Sequence, residues 1–267
     1  MTTCDSQDGA ARVVPVLQHR RLVDAVVALL AVASLVAGAA VIGDARAMYE
    51  RFLYISELGA QHMDSAGQFQ IGFGLVIVGI LLVAVVVRDV RTDLSLLRRW
   101  APAASLVVAG ALFAVAAAVP CSPGCPSLLG PEAEWRDWTH IAAAVLAFVA
   151  GCVAMLQFAT ASDPWVARLS IAGGLAVGII AATGGLLSLA NGNTDLGSTL
   201  EFVAAGIGVL WMIAVTVVHS FPARATDASA TRRGQRASGA VPAGAAELQL
   251  ARRAGLVTRV PRDEQLS

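Results

Sequence analysis

The chain has 267 residues, 57% of them hydrophobic and only 14% charged, with a mean hydropathy of +0.69. Soluble domains carry roughly 25% charged residues, so this composition excludes an ordinary water-soluble enzyme and makes lipid the main solvent. Net charge is zero, every basic residue is arginine, and four cysteines are too few for a disulfide scaffold.

A helix needs about 20 apolar residues to cross the roughly 30 Å hydrocarbon core. Six segments approach that length: Leu22–Gly43, Phe69–Val87, Ala101–Val119, Thr139–Thr160, Leu169–Ala190 and Leu200–Ser220. Lipid offers backbone N–H and C=O groups no partners, so each span is expected to be helical. The expected fold is an all-α, polytopic six-helix membrane bundle over residues 22–220. An N-terminal segment, 1–21, precedes it, and an Arg/Ala/Gly-rich tail, 221–267, follows. Arg20 and Arg21 before the first span, and Ala45-Arg46-Ala47 after it, imitate a signal peptide. The apolar run exceeds the roughly 7–15 residues of a signal core, so it reads as a span.

Sixteen of the nineteen arginines fall in the N-terminal segment, the second-to-third and fourth-to-fifth connections, and the tail. Only Arg46, Arg51 and Arg136 fall on the other side. The positive-inside rule then places both termini in the cytoplasm of a multi-pass cell-membrane protein, with Trp135 and Trp138 in an outer aromatic belt. The tail composition predicts no fixed fold apart from a short helix around Ala245–Ala254. Arg224, Arg232, Arg233 and Arg236 are placed to contact anionic lipid, although a positive-inside anchor explains them as well.

In the fifth span, Gly174 and Gly178 form a G-xxx-G step, which serves either packing within the bundle or an oligomer face. Asp24, His140, Glu201 and His219 lie near span ends, and the mid-depth polar groups, such as Gln157, Thr183, Ser188 and Thr216, are neutral. Ion-coupled transporters bury ionisable groups at mid-depth, so that class is disfavoured.

Candidate chemistry gathers on the outer face. The first outer loop carries Glu57, His62 and Asp64; Asp137 and His140 open the fourth span, and Glu201 opens the sixth. Convergence of Glu57, His140 and Glu201 would suit metal binding, proton exchange or recognition of a polar head group. Helix capping is the competing explanation. Ser198-x-x-Glu201 and Ser65-x-x-Gln68 read as capping boxes, and Asp137 or Thr139 as an N-cap. No catalytic residue, metal site or cofactor is assigned.

Cys121-Ser-Pro-Gly-Cys125 is a tight loop on the oxidising side, where a local disulfide is favoured over free thiols or a metal site. Cys152 reads as packing inside a span, and Cys4 belongs to the cytoplasmic end. Nucleophile-elbow, zinc-protease, P-loop and dinucleotide motifs are absent. No basic stripe interleaved with aromatics supports nucleic-acid binding.

Several short motifs carry a family likeness. They are Tyr54-Ile55-Ser56-Glu57-Leu58-Gly59, the Gly-rich second span, Asp137-Trp138-Thr139-His140, and Leu196-Gly197-Ser198-Thr199-Leu200-Glu201-Phe202 leading into Leu210-Trp211. Over roughly residues 20–220 the chain resembles the bacterial and archaeal membrane proteins grouped as domain of unknown function 998. That group is itself distantly similar to the eukaryotic Frag1/DRAM/Sfk1 membrane proteins. The resemblance implies six helices and an outer polar cluster, and it implies no activity. The Cys121/Cys125 loop and the long tail depart from the family pattern.

Three functions follow as expectations. The first is a non-enzymatic protein that senses, organises or traffics lipid or envelope components, with membrane lipids as its partners. The second is a membrane-embedded hydrolase or transferase using Glu57, His140 and Glu201. The third is a facilitator for small neutral solutes.

Overall fold

The computed structural model describes residues 7–94, 100–190 and 194–220, with side chains from Arg20 onward. Among the described residues there are seven α-helices and no strand. They are α1 (Gln7–Ala47), α2 (Ile55–Leu58), α3 (Ala66–Val86), α4 (Pro102–Ala118), α5 (Trp135–Phe158), α6 (Pro164–Leu189) and α7 (Thr194–Ser220). Cys4, the tail with Arg224, Arg232, Arg233 and Arg236, and the helix expected near Ala245–Ala254 lie outside the described residues.

Five helices are long and apolar enough to cross a membrane: the Arg20–Ala47 part of α1, with α3, α5, α6 and α7. Their lipid-facing character shows in side chains such as Leu29, Ile71, Ile179, Leu186 and Leu210, all about two-thirds exposed. Helices this apolar on the outside have no stable place in water. The third apolar segment forms a shorter helix, α4, of 17 residues.

The six helices other than α2 form a ring. α1 packs on α3, α3 on α4, α4 on α5, α5 on α6, α6 on α7, and α7 closes back on α1. Successive helices alternate in direction, as short connections require. One end of the ring is tied by Arg88 to Asp24 (2.8 Å), by Thr92 to Thr160 (3.2 Å) and by the Gln157 side chain to the Trp100 carbonyl. The other end gathers the C-termini of α1, α4 and α6 with the N-termini of α3, α5 and α7.

Glycines set the closest approach. A Cβ on Gly38 of α1 would come to 2.6 Å from the Gly72 carbonyl oxygen of α3, and one on Gly79 to 2.7 Å from Leu35. Small residues thus let α1 and α3 meet backbone to backbone, the packing that lipid-embedded helices favour. The Gly174–Gly178 step faces α5 of the same chain. A Cβ on Gly174 would lie 3.2 Å from Met155 Cβ, and one on Gly178 would lie 3.9 Å from Cys152 Sγ.

Helix starts differ from the sequence reading in a consistent way. α3, α5, α6 and α7 begin three to six residues before the apolar runs, because polar first turns extend beyond the hydrocarbon-like stretch. α1 likewise continues through the expected boundary at residue 21, from Gln7. Asp163 caps α6, accepting from the Trp165 and Val166 N–H groups at 2.8 and 3.4 Å, with Pro164 at the first helical position.

The two Ser capping boxes do not form. Ser65 sits at the start of α3 but donates its hydroxyl to the Leu58 carbonyl at 2.8 Å, fastening the preceding loop instead. Ser198 lies inside α7 and bonds back to the Asp195 carbonyl. Neither Asp137 nor Thr139 is the N-cap of α5. Glu134 holds that position, Asp137 is three residues later, and Thr139 donates to the Trp135 carbonyl.

Candidate functional site

The centre of the ring holds a cavity of about 470 Å³, within the range of small-molecule pockets. One wall is a ladder of phenylalanines from three helices. Phe69 and Phe73 stack at 5.3 Å, Phe73 meets Phe113 at 5.5 Å, and Phe113 meets Phe148 at 5.6 Å. Farther along α7 from Glu201 the lining includes Met155, Val177, Trp211 and Met212. Trp211 is fixed there by an edge contact with Phe158 and by donating its indole N–H to Ser170 Oγ at 2.9 Å. Gly151 and Gly208 also line the cavity, and a Cβ on either would meet open space.

Among the described lining residues, polarity is confined to the end where Ser56, His140 and Glu201 line the wall. His140 is buried, and its Nδ1 lies 2.8 Å from the Ala116 carbonyl and 3.0 Å from the Val119 carbonyl. Both partners are acceptors, so Nδ1 carries a proton and donates to the C-terminal turn of α4, where a donor also suits the helix dipole. Nε2 is left as the ring's acceptor toward the cavity when the imidazole is neutral.

The segment after α1 arranges the carboxylates. Two successive backbone N–H groups divide between them: Tyr54 donates to Glu57 Oε2 at 3.0 Å, and Ile55 donates to Glu201 Oε2 at 2.8 Å. Glu57 also accepts from Arg51 at 3.5 Å and is buried, but it does not line the cavity. Its place is the first turn of α2, where negative charge favours the helix. Tyr54 reaches under α7, its hydroxyl lying where any side chain on Gly197 would have to go. Burial raises the Tyr54 phenol above its ordinary pKa; a hydrogen bond with Ser188 opposes this, and the Glu201 and Glu57 charges reinforce it.

Asp137 is fully buried and structural. Oδ1 accepts from the Ser122 N–H at 2.7 Å, and Oδ2 accepts from the Ser122 hydroxyl at 3.0 Å and the Glu134 N–H at 2.9 Å. It therefore pins the Cys121–Cys125 loop to α5. The structure joins these two cysteines as a disulfide, with Cα atoms 5.3 Å apart and Gly124 at φ +80° making the turn. The Gln61 N–H donates to the Cys121 carbonyl at 3.1 Å, so the loop also ties down the first connection.

His62 and Asp64 are exposed on that connection, away from the cavity lining. Of the six polar candidates, then, His140 and Glu201 share the cavity, Glu57 stands behind it, Asp137 braces a loop, and the other two face outward. Among the described residues no group of three or more His, Cys, Asp or Glu side chains is placed to hold a metal ion. Sequence reasoning named Tyr54 and Ser56 within one motif without giving either a place in a site, and it missed the phenylalanine ladder. The spacing of Phe69 and Phe73 on one helix face was a usable signal for the ladder.

The family model described as protein of unknown function (DUF998) matches residues 25–218. The chain belongs to that family. No curated protein and no solved structure matches it.

Proposed function

We propose that this DUF998 protein is a non-enzymatic lipid-binding protein of the cell membrane, holding a lipid inside its helical ring as part of sensing, organising or trafficking envelope lipids. The observation that carries this reading is the central cavity. It is apolar along most of its length and polar at one end, matching an amphipathic occupant.

All six long helices span the membrane in this reading. At 1.5 Å per residue the 17 residues of α4 extend roughly 26 Å, close to the hydrocarbon thickness. α4 lies between α3 and α5 in the ring, so it crosses alongside them. Residues 22–220 form the membrane body, and arginine bias places the Arg88 end and both termini in the cytoplasm. The His140–Glu201 end then faces outward, level with lipid head groups.

A solute facilitator fits less well, since polar lining groups occupy one end and not a continuous path. A hydrolase needs an activated nucleophile beside the His140–Glu201 pair, and Glu57 is committed to Arg51 and the Tyr54 N–H.

Reconstituting a variant with Trp211 as the only tryptophan into vesicles of brominated-chain lipid tests the proposal. Strong quenching of this buried indole shows lipid in the cavity; fluorescence equal to that in unbrominated vesicles would refute it.

A further inference from the structure

The polar end of the cavity has an unusual balance of groups. Among the described residues Glu201 is the one acidic side chain that lines it, and no arginine does; the chain has no lysine. The nearby Arg51 is turned onto Glu57. A phosphate head group would enter a low-dielectric site beside an acidic side chain, with no cation among the described lining residues to offset its desolvation.

The hydrogen-bonding capacity points the same way. His140 spends its Nδ1 proton on two helix carbonyls, so in the neutral ring Nε2 is the acceptor. Glu201 Oε2 accepts from the Ile55 N–H, which leaves the rest of the carboxyl group for the occupant. Ser56 adds a hydroxyl, able to donate or accept. An imidazole, a carboxyl group and a hydroxyl with no cation among the described lining residues suit an occupant that hydrogen-bonds and bears no negative charge. A hydroxyl meets both conditions, donating to Glu201 or His140 while accepting from Ser56.

Length supports a long-chain occupant. From Glu201 to Met212 the α7 wall runs eleven residues, roughly 16 Å along the helix axis. Every side chain on that stretch between the polar end and Trp211 is apolar or glycine.

Resting on the lipid-binding reading above, we propose that the occupant is a lipid alcohol: an unphosphorylated long-chain lipid whose hydroxyl sits between His140, Glu201 and Ser56, with its chain along the phenylalanine ladder toward Trp211. The site discriminates against the phosphorylated form of the same lipid by charge.

Three probes with one chain and different heads separate the possibilities: oleyl alcohol, oleyl phosphate and oleylamine. Each is titrated against the full-length Trp211-only protein in detergent, loaded with a brominated lipid, and displacement is read as recovery of fluorescence. Oleyl alcohol should displace at concentrations at least tenfold below oleyl phosphate, and Glu201→Gln should narrow that gap by removing the acidic group. Equal potency of alcohol and phosphate, preference for oleylamine, or a gap unchanged in Glu201→Gln would overturn the proposal. Gly151→Leu, which fills the cavity without touching the polar end, keeps the two readings apart. If it abolishes displacement by all three probes alike while head preference is absent, the lipid cavity stands and the alcohol assignment falls. If the loaded protein shows no quenching at the outset, the cavity reading itself falls.

Discussion

Replacing Asp137 tests whether the conspicuous acidic residue at the start of α5 is a brace or a chemical group. The carboxylate is fully buried and accepts three hydrogen bonds, from the Ser122 N–H, the Ser122 hydroxyl and the Glu134 N–H. Hydrogen bonds to a charged group contribute about 1.5–3 kcal/mol each, and a buried donor left alone costs a similar amount. The three share one side chain and are not additive, so Asp137→Ala should cost about 3–5 kcal/mol. Asp137→Asn keeps the shape and one oxygen. Its amide nitrogen then faces Ser122 Oγ, which turns to accept, and the Glu134 N–H, which has no such choice. The expected loss is about 1–3 kcal/mol, one unsatisfied donor. Denaturant titration in detergent gives the order wild type, Asn, Ala, and hydrogen exchange at the Ser122 and Glu134 amides should quicken in parallel. An alanine variant within about 1 kcal/mol of wild type, with exchange unchanged at both amides, would refute the bracing role.

Gly38→Ala should destabilise by about 1–3 kcal/mol, the usual cost of overpacking, because its Cβ would lie 2.6 Å from the Gly72 oxygen, a backbone atom that cannot swing aside. Gly74→Ala, whose Cβ meets nothing within 4 Å, should gain up to about 1 kcal/mol of helix propensity, and thermal unfolding of the pair checks both signs. Reducing the Cys121–Cys125 bond removes a loop constraint worth about 2 kcal/mol for so short a ring, so a reductant should lower the unfolding temperature modestly in wild type and not in a Cys121→Ser/Cys125→Ser variant. On a cysteine-free background, Ser127→Cys should react with an impermeant thiol reagent added outside intact cells, and Ser162→Cys should not; the reverse pattern would invert the proposed orientation.

Hydropathy made the long helices legible because lipid solvation imposes a length and an apolar surface on each of them. The helix starts were less legible. At α7 the apolar run begins with Leu200, yet the helix begins at Thr194, since a polar first turn costs nothing outside hydrocarbon. Ser198 and Glu201 matched a capping box by spacing alone, but Glu201 takes the Ile55 N–H from a segment 146 residues earlier. No local pattern encodes that pairing. The short helix α2 escaped notice for the same reason: four residues between two long spans carry no periodic signal. His140 and Glu201 stood out as polar groups near span ends, whereas the cavity joining them is a property of the ring and of side chains such as Phe113 and Phe148 that read as ordinary core. The roles of Glu57 and Asp137 were blurred because a buried brace and a reactive carboxylate look alike in one sequence.

The central claim is that the ring holds a lipid. Native mass spectrometry of the full-length protein, released from detergent beside Gly151→Leu and Gly208→Leu, tests it most directly. Both glycines line the cavity, a Cβ on either meets nothing within 4 Å, and both substitutions improve helix propensity, so the fold should persist. The account predicts wild-type protein carrying one retained lipid per chain and both variants largely empty at equal thermal stability. Wild-type protein without retained lipid, or variants as fully loaded as wild type, would contradict it.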